Sequence, residues 1–348
     1  MSFGLDNLPY AAVRSPEGRQ FAAVRYGDAV LDLTTVDPVL FAAGTLDALL
    51  AAGPDTWARV RAAAAAAIES TAALVPLDYV TPIVGFRVAD YADFYASEHH
   101  ATNAGRIFRP DGEPLPANWK QMPIGYYGRA GSLVASGTPI SRPSGMLRAG
   151  DVAPTERLDF EAELAFVVGP PGTRIAAADA DSHVFGVCLL NDWSARDIQA
   201  FETVPLGPFL GKSFATSVSP WITPMAALDP YRVGEFGLDI ELEVRLNDEI
   251  VSRPRFADMY WSYAQMLAHL TSNGAAVRTG DVFASGTVSG PDREQRGCLL
   301  ELTWNGTEPI ALGDGTTRAW LEDGDEVIIA ARAGTVSLGD VSGRIVAE

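Results

Sequence analysis

The sequence predicts a mostly-β protein with few helices, organised as about two domains. Its 348 residues exceed the roughly 150 of a single typical domain about twofold. Residues 239–246 alternate Asp, Ile, Glu, Leu, Glu, Val, Arg, Leu, the period of a half-buried strand. Turn formers are plentiful, with 33 Gly and 23 Pro to reverse the chain between many short strands.

Along the chain, residues 21–24 and 29–33 flank Tyr26-Gly27-Asp28 and read as a hairpin. Thr45 is placed to cap a short helix over 46–52 that Gly53 stops. A second helix is expected from Trp57 to Ala73. Its alanine run at 62–67 favours helix, while Arg59, Arg61 and Glu69 keep it from being a membrane segment. Val75-Pro76-Leu77-Asp78 and Thr81-Pro82 read as a linker, which divides the chain into residues 1–82 and 83–348. Strands dominate the second part, interrupted by one helix. There Phe256, Met259, Tyr260, Tyr263, Met266, Leu267 and Leu270 follow three-four spacing as a core stripe, with Asn273-Gly274 as the stop.

A hydrophobic content of 47% excludes disorder for the bulk of the chain. With 26 Lys+Arg against 44 Asp+Glu, the net charge of −18 argues against nucleic acid, whose phosphates need a basic footprint. No uncharged apolar stretch reaches the roughly 18 residues that span a bilayer. Residues 1–10 carry Asp6 and no basic residue, unlike a secretory signal. Cys188 and Cys298 lie in apolar runs and read as small buried hydrophobes, not as a disulfide framework. A soluble, cytoplasmic protein that binds neither nucleic acid nor membrane is expected.

Some motifs fail on inspection. Residues 206–213, Leu-Gly-Pro-Phe-Leu-Gly-Lys-Ser, place three residues where a phosphate loop needs four, and Pro208 removes a backbone donor. There is no Gly-x-Ser-x-Gly elbow and no Gly-x-Gly-x-x-Gly fingerprint. The four histidines, His99, His100, His183 and His269, form no His-Glu-x-x-His pair.

Two segments carry candidate chemistry. In the strand expected over 160–168, Glu161 and Glu163 share one face, opposite Ala162, Leu164 and Phe166. Neighbouring carboxylates suit a hard divalent cation. Asp239, Glu241 and Glu243 alternate in the same way, however, and on spacing alone a solvated face is the better reading of both strands. If Asp192 opens a helix, Asp192, Arg196, Gln199 and Thr203 line one face as an oxyanion or ligand platform; the plainer reading is a capping Asp paired with Arg196.

A resemblance sharpens these readings. Asp93-Phe94-Tyr95, His100-Ala101-Thr102-Asn103, Phe108-Arg109 and residues 125–130 (Gly-Tyr-Tyr-Gly-Arg-Ala) are similar to motifs of the fumarylacetoacetase family. Residues 191–199 (Asn-Asp-Trp-Ser-Ala-Arg-Asp-Ile-Gln), 205–214, 285–291 and Leu300-Glu301-Leu302 continue it in the family's order, covering residues 90–304. The resemblance implies a small SH3-like N-terminal barrel followed by a larger mixed β-sandwich or roll. It implies that Asp93, Glu161, Glu163 and Asp192 hold a divalent cation, calcium in the family, with magnesium associated with Lys212 and Thr216 and manganese as an alternative. His100 is implied as general base, Glu301 as its orienting carboxylate, and Arg196, Gln199 and Lys212 as oxyanion stabilisers. Tyr95, Arg109, Tyr126, Gln199 and Thr287 are implied as substrate contacts. Thr203 stands where the family has a substrate-contacting Tyr, which puts the distal end of the substrate in question.

The chemistry so implied is hydrolysis of a carbon–carbon bond in a small diketo acid, giving fumarate and acetoacetate in tyrosine and phenylalanine breakdown, by a homodimer. The alternatives are a relative that hydrolyses or decarboxylates another acylpyruvate or diketo acid, and a metal-stabilised binding protein on the same fold. Four carboxylates without Cys or His suit a hard cation and disfavour zinc.

Overall fold

A computed structural model describes residues 3–70 and 73–347. The N-terminal unit is a five-stranded half-barrel, all antiparallel, in the spatial order Val75–Pro76, Ala29–Asp32, Gln20–Tyr26, Tyr10–Arg14, Thr81–Ile83. The expected hairpin forms with Tyr26 opposite Ala29, and Gly27 takes the left-handed backbone (φ 57°) that the tight turn demands. The prolines taken for a linker lie instead in the two edge strands, where a missing N–H breaks no ladder.

Two helices follow the half-barrel's third strand. The first, Asp47–Ala52, is capped by Leu46 without a side-chain bond, so Thr45 does not cap it. Gly53 (φ 82°) ends it, and Pro54 opens the second helix at once, Pro54–Glu69, three residues before the expected start. The expected extension towards Ala73 crosses Thr71 and Ala72, which lie outside the described residues.

The larger unit is built on an eight-stranded mixed sheet. Its path runs Gly125–Tyr127, Tyr91–Phe94, Val282–Ala284, Ala162–Val168, Val184–Asp192, Thr216–Val218, Leu133–Ala135, with Thr223–Pro224 also paired to Val184–Asp192. A second sheet orders Glu249–Ser252, Glu241–Leu246, Glu326–Ala333, Val336–Val346 and Ile140–Ser141. The central strand Ala162–Val168 is buried at all seven positions. Leu164, Phe166 and Val168 pack into a core with Leu242 and Val244 of the second sheet and Tyr263 of the Tyr263–Thr271 helix, while Ala165 and Val167 join Leu49, Leu50 and Val60 of the N-terminal unit.

Covering both faces in this way removes the solvated face that spacing favoured for Glu161 and Glu163. The comparison strand Glu241–Leu246 does alternate exposed and buried, and its acids pair with surface arginines: Glu241 with Arg332, and Glu243 with Arg245 and Arg253. The regular strand begins at Ala162 because Glu161 makes only an isolated bridge to Cys298.

Two further expectations change. The single helix read over residues 256–270 is a short 3-10 turn, Phe256–Asp258, then a helix, Tyr263–Thr271, started by a Ser262–Gln265 capping box. Most of its apolar stripe is core, but Tyr260 falls in the break and is exposed. Asp192 does not open a helix either. It ends the Val184–Asp192 strand, and the helix is Arg196–Glu202, so the Asp192–Arg196 pair never forms. Among the described residues no helix is long and apolar enough to cross a membrane.

Candidate active site

Three strands of the large sheet deliver the acidic centre, Ala162–Val168 beside Val184–Asp192 and Tyr91–Phe94 one strand further on, across Val282–Ala284. Asp93 sits opposite Ala284 and Tyr126, Glu163 opposite Leu190, and Asp192 opposite Thr216. One carboxylate oxygen from each of Asp93, Glu163 and Asp192 lies within 4.8 Å of the other two, and all three residues are buried. Burial, reinforced by the neighbouring carboxylates, pushes the Asp93 and Glu163 carboxyls well above their usual range. Asp93 Oδ1 and both Glu163 oxygens are buried without a hydrogen-bond partner. Unpartnered buried acceptors on convergent acids, with no nitrogen or sulfur donor among them, fit a hard divalent cation.

Glu161, the fourth acid expected there, lies beside this group and not within it. Its Oε2 is ion-paired with Lys212 Nζ, and its Oε1 accepts from Arg196 Nη2 at 2.7 Å. Burial opposes its ionisation, but the Lys212 and Arg196 charges outweigh burial and hold its carboxyl well below the ordinary range. Lys212 Nζ also donates to Asp192 Oδ2 at 3.0 Å, and Thr216 Oγ1 to Asp192 Oδ1 at 3.2 Å. Although burial lowers it, the Lys212 ammonium is held protonated by Asp192 and Glu161 and therefore contributes charge, not a ligand lone pair. Tyr126 Oη lies 3.0 Å from Asp93 Oδ2 and 2.9 Å from Asp192 Oδ2, bridging the two acids.

The helix Glu98–Phe108 starts at Ser97, whose Oγ accepts from the His100 backbone N–H at 3.1 Å. This cap turns His100 inward, where Nδ1 lies 2.6 Å from Glu301 Oε2. Glu301 is fully buried on the four-residue helix Leu299–Leu302 and also accepts from Asn103 Nδ2 at 2.8 Å and Ser289 Oγ at 2.7 Å. Burial alone would raise its carboxyl, yet His100 and these donors bring it down to about 2. An ionised Glu301 can only accept, so His100 Nδ1 carries the proton and Nε2 is left as the basic nitrogen. Cys298, expected to be a plain buried hydrophobe, places Sγ 3.3 Å from Glu301 Oε2.

Around these two centres, Arg196 Nη1 donates to Gln199 Oε1 at 3.3 Å. The Tyr95 ring stands edge-on to His100 with centroids 5.3 Å apart. Thr287 is buried and its hydroxyl has no partner. Arg109 is exposed at the end of the Glu98–Phe108 helix, held by Pro114 O at 2.7 Å, and its charge reaches Tyr95. Thr203 bonds back to Gln199 O at 2.6 Å, so its hydroxyl is satisfied within its own helix. Asn103, Ser289 and Asp159 were not singled out by the sequence. Asn103 and Ser289 lie within the motifs at 100–103 and 285–291, but the resemblance implies no role for them there; Asn103 follows His100 by one helical turn, and Asp159 continues the 159-161-163 alternation.

Residues 90–346 match the family model described as fumarylacetoacetate hydrolase C-terminal, and residues 6–79 the one described as fumarylacetoacetase N-terminal. The chain is 42% identical to the fumarylacetoacetase of Oryza sativa subsp. japonica, covering 94% of this chain and 90% of that one. It is 41% identical to that of Homo sapiens, over 94% and 91%. The solved fumarylacetoacetate hydrolase of Exiguobacterium antarcticum shares 20% identity with a TM-score of 0.62, covering 98% of this chain and 100% of that one. Maleylpyruvate hydrolase of Sphingobium sp. SYK-6 shares 18% with a TM-score of 0.61, over 98% and 100%; at such identities the likeness is one of fold. With both of its units matched in order and full-length relatives near 40% identity, the chain belongs to the fumarylacetoacetate hydrolase family.

Proposed function

We propose that this protein hydrolyses the carbon–carbon bond of 4-fumarylacetoacetate to fumarate and acetoacetate, the last step of tyrosine and phenylalanine breakdown. The observation that carries this reading is the buried His100–Glu301 pair, whose turn is tied through Asp159, Arg196, Glu161 and Lys212 to the acidic centre of Asp93, Glu163 and Asp192. Full-length relatives named fumarylacetoacetase support the substrate.

Cleaving such a bond needs a water nucleophile and a stabilised carbanion. His100 Nε2 takes the proton from water, and Glu301 stabilises the imidazolium that results. Arg196, Gln199 and Lys212 supply donors to the alkoxide formed on the attacked carbonyl, often the largest single catalytic contribution. Tyr95, Arg109, Tyr126 and Thr287 bind and orient the substrate. Asp93, Glu163 and Asp192 would hold a divalent cation, with Glu161, the fourth acid of the expected set, beside them and turned to Lys212 and Arg196, and the ion would supply Lewis-acid stabilisation of the departing enolate charge. Calcium is the proposed ion at the acids, with magnesium associated with the Lys212 and Thr216 position and manganese as an alternative.

The expected division between residues 82 and 83 falls within the half-barrel's edge strand Thr81–Ile83, so the two units are proposed to divide just after that strand, supported by family models that end at 79 and begin at 90. A homodimer is proposed, supported by the exposed apolar side chains of Phe201, Val204, Leu206, Phe209 and Leu210 beside the Arg196–Glu202 helix. A cytoplasmic location is supported by two buried, unbridged cysteines.

Thr203 favours a second reading, hydrolysis or decarboxylation of another acylpyruvate or diketo acid, because it does not supply the aromatic contact that the family's Tyr makes. Assaying purified protein on fumarylacetoacetate and on acylpyruvates side by side decides between them. Release of fumarate and acetoacetate is the expected result, and faster turnover of an acylpyruvate would overturn it.

A further inference from the structure

Asp159 is fully buried at the end of the Leu158–Asp159 strand, which pairs with Ser194–Ala195 and so runs beside Arg196. Its Oδ1 accepts from the backbone N–H of Phe160 at 2.8 Å and of Leu299 at 2.7 Å. Its Oδ2 accepts from the Leu300 N–H and from Arg196 Nε, both at 2.9 Å. Leu299 and Leu300 open the short helix that bears Glu301, and the first N–H groups of a helix have no partner within it. Arg196 continues from Asp159 to Glu161 through Nη2 at 2.7 Å. One carboxylate therefore ties three chain segments together: its own strand, the helix carrying Arg196, and the turn carrying the orienting acid of His100.

We infer that Asp159 is a positioning residue that sets the Arg196 guanidinium and the His100–Glu301 pair at a fixed distance from one another. It acts through those groups and not on the reacting atoms. The inference rests on the functional reading above, in which Arg196 and His100 serve the same carbonyl. A carboxylate is required because every one of its contacts, Arg196 Nη2 at 2.8 Å from Oδ2 included, is a donor. Asn at this position turns one acceptor into an NH2 group facing N–H donors, which forces apart either the Glu301 turn or Arg196.

The test compares wild type with Asp159→Asn in the full-length, calcium-loaded protein. On fumarylacetoacetate, kcat should fall roughly 10²-fold, the cost of about 1 Å of misplacement, while KM and calcium affinity stay near wild type. The loss should be far from additive with that of Glu301→Gln, since both act on one unit. A second readout needs no substrate. In protein with nitrogen-labelled histidine, the His100 Nδ1 proton donated to Glu301, identified by its loss in His100→Ala, should shift or vanish in Asp159→Asn.

Should Asp159→Asn fail to fold, Asp159→Glu keeps the charge against Arg196 while displacing the oxygens, and the same kcat loss and proton shift are expected. A folded variant with wild-type kcat and an unmoved His100 resonance overturns the inference. Failure of both variants to fold also overturns it, because Asp159 would then maintain the fold and not a distance within the site. A wild-type protein inert on fumarylacetoacetate counts against the functional reading alone, and the His100 resonance still decides the role of Asp159.

Discussion

His100 Nδ1 and Glu301 Oε2 lie 2.6 Å apart although 201 residues separate them in the chain. The pair exists because the Ser97 cap fixes the first turn of the Glu98–Phe108 helix, which carries His100, while a four-residue helix fixed by Asp159 presents Glu301. Replacing His100 by Ala should reduce kcat by roughly 10²–10⁴-fold, the usual worth of a positioned base. Glu301→Gln should also slow turnover, because an amide stabilises an imidazolium poorly. The double variant should be little worse than His100→Ala alone, and calcium affinity should survive all three. Steady-state kinetics with calorimetric calcium titration checks this, and a fully active His100→Ala enzyme would remove His100 from the mechanism.

The same pair has a signature in acid. The Glu301 carboxyl is held at about 2 against an ordinary 4.5. A carboxyl lowered on folding contributes stability that is fully present above its unfolded value and is lost as pH falls through its folded value. At neutral pH that contribution is about 3 kcal/mol. The stability gap between wild type and Glu301→Gln should therefore be widest above pH 4.5 and close as pH approaches about 2. Urea unfolding of both proteins across that window measures the gap directly, and a constant gap would contradict the assignment.

Chelation addresses the acidic centre. Dialysis against a strong chelator should abolish turnover, and calcium or magnesium should restore it; full activity after exhaustive chelation would sink the metal assignment. The cation should also stabilise the fold, by about 2.7 kcal/mol at a hundredfold excess over its Kd. Glu163→Gln replaces two unpartnered oxygens by an amide and relieves repulsion from Asp93 and Asp192. In the cation-free state this variant should melt no lower than wild type, and it should lose most of the calcium-induced rise in Tm.

Thr287 carries a buried hydroxyl with no partner in the free protein. Thr287→Val keeps the shape and removes a polar group that forms no bond before substrate arrives, so Tm should not fall. If that hydroxyl binds substrate, KM should rise about tenfold, equivalent to about 1.4 kcal/mol. An unchanged KM would place Thr287 outside the substrate contacts.

Thr203→Tyr restores the ring that the family carries at this position. The added contact is common to bound substrate and transition state, so KM should fall more than kcat rises. A change confined to kcat would show that residue 203 serves the chemical step.

Local periodicity and turn chemistry were legible in the sequence. The Tyr26-Gly27-Asp28 hairpin, the alternating strand at 241–246 and the order of the site motifs all follow from residues near one another in the chain. The destination of the buried charges was not. Spacing offered Asp192 as the partner of Arg196, whereas the fold gives Arg196 to Asp159 and Glu161 and gives Asp192 to Lys212, Thr216 and Tyr126. Spacing also made Glu161 and Glu163 equal to Glu241 and Glu243; only coverage of both faces of the Ala162–Val168 strand buries the first pair, and leaves the second in water among arginines. Periodicity reports which side of its own element a residue faces, because that follows from the backbone geometry of a few neighbours. What lies across from that side is set by sheet register and layer packing between segments far apart in sequence, and there the tertiary structure alone decides which charges are paired and which are left for a cation.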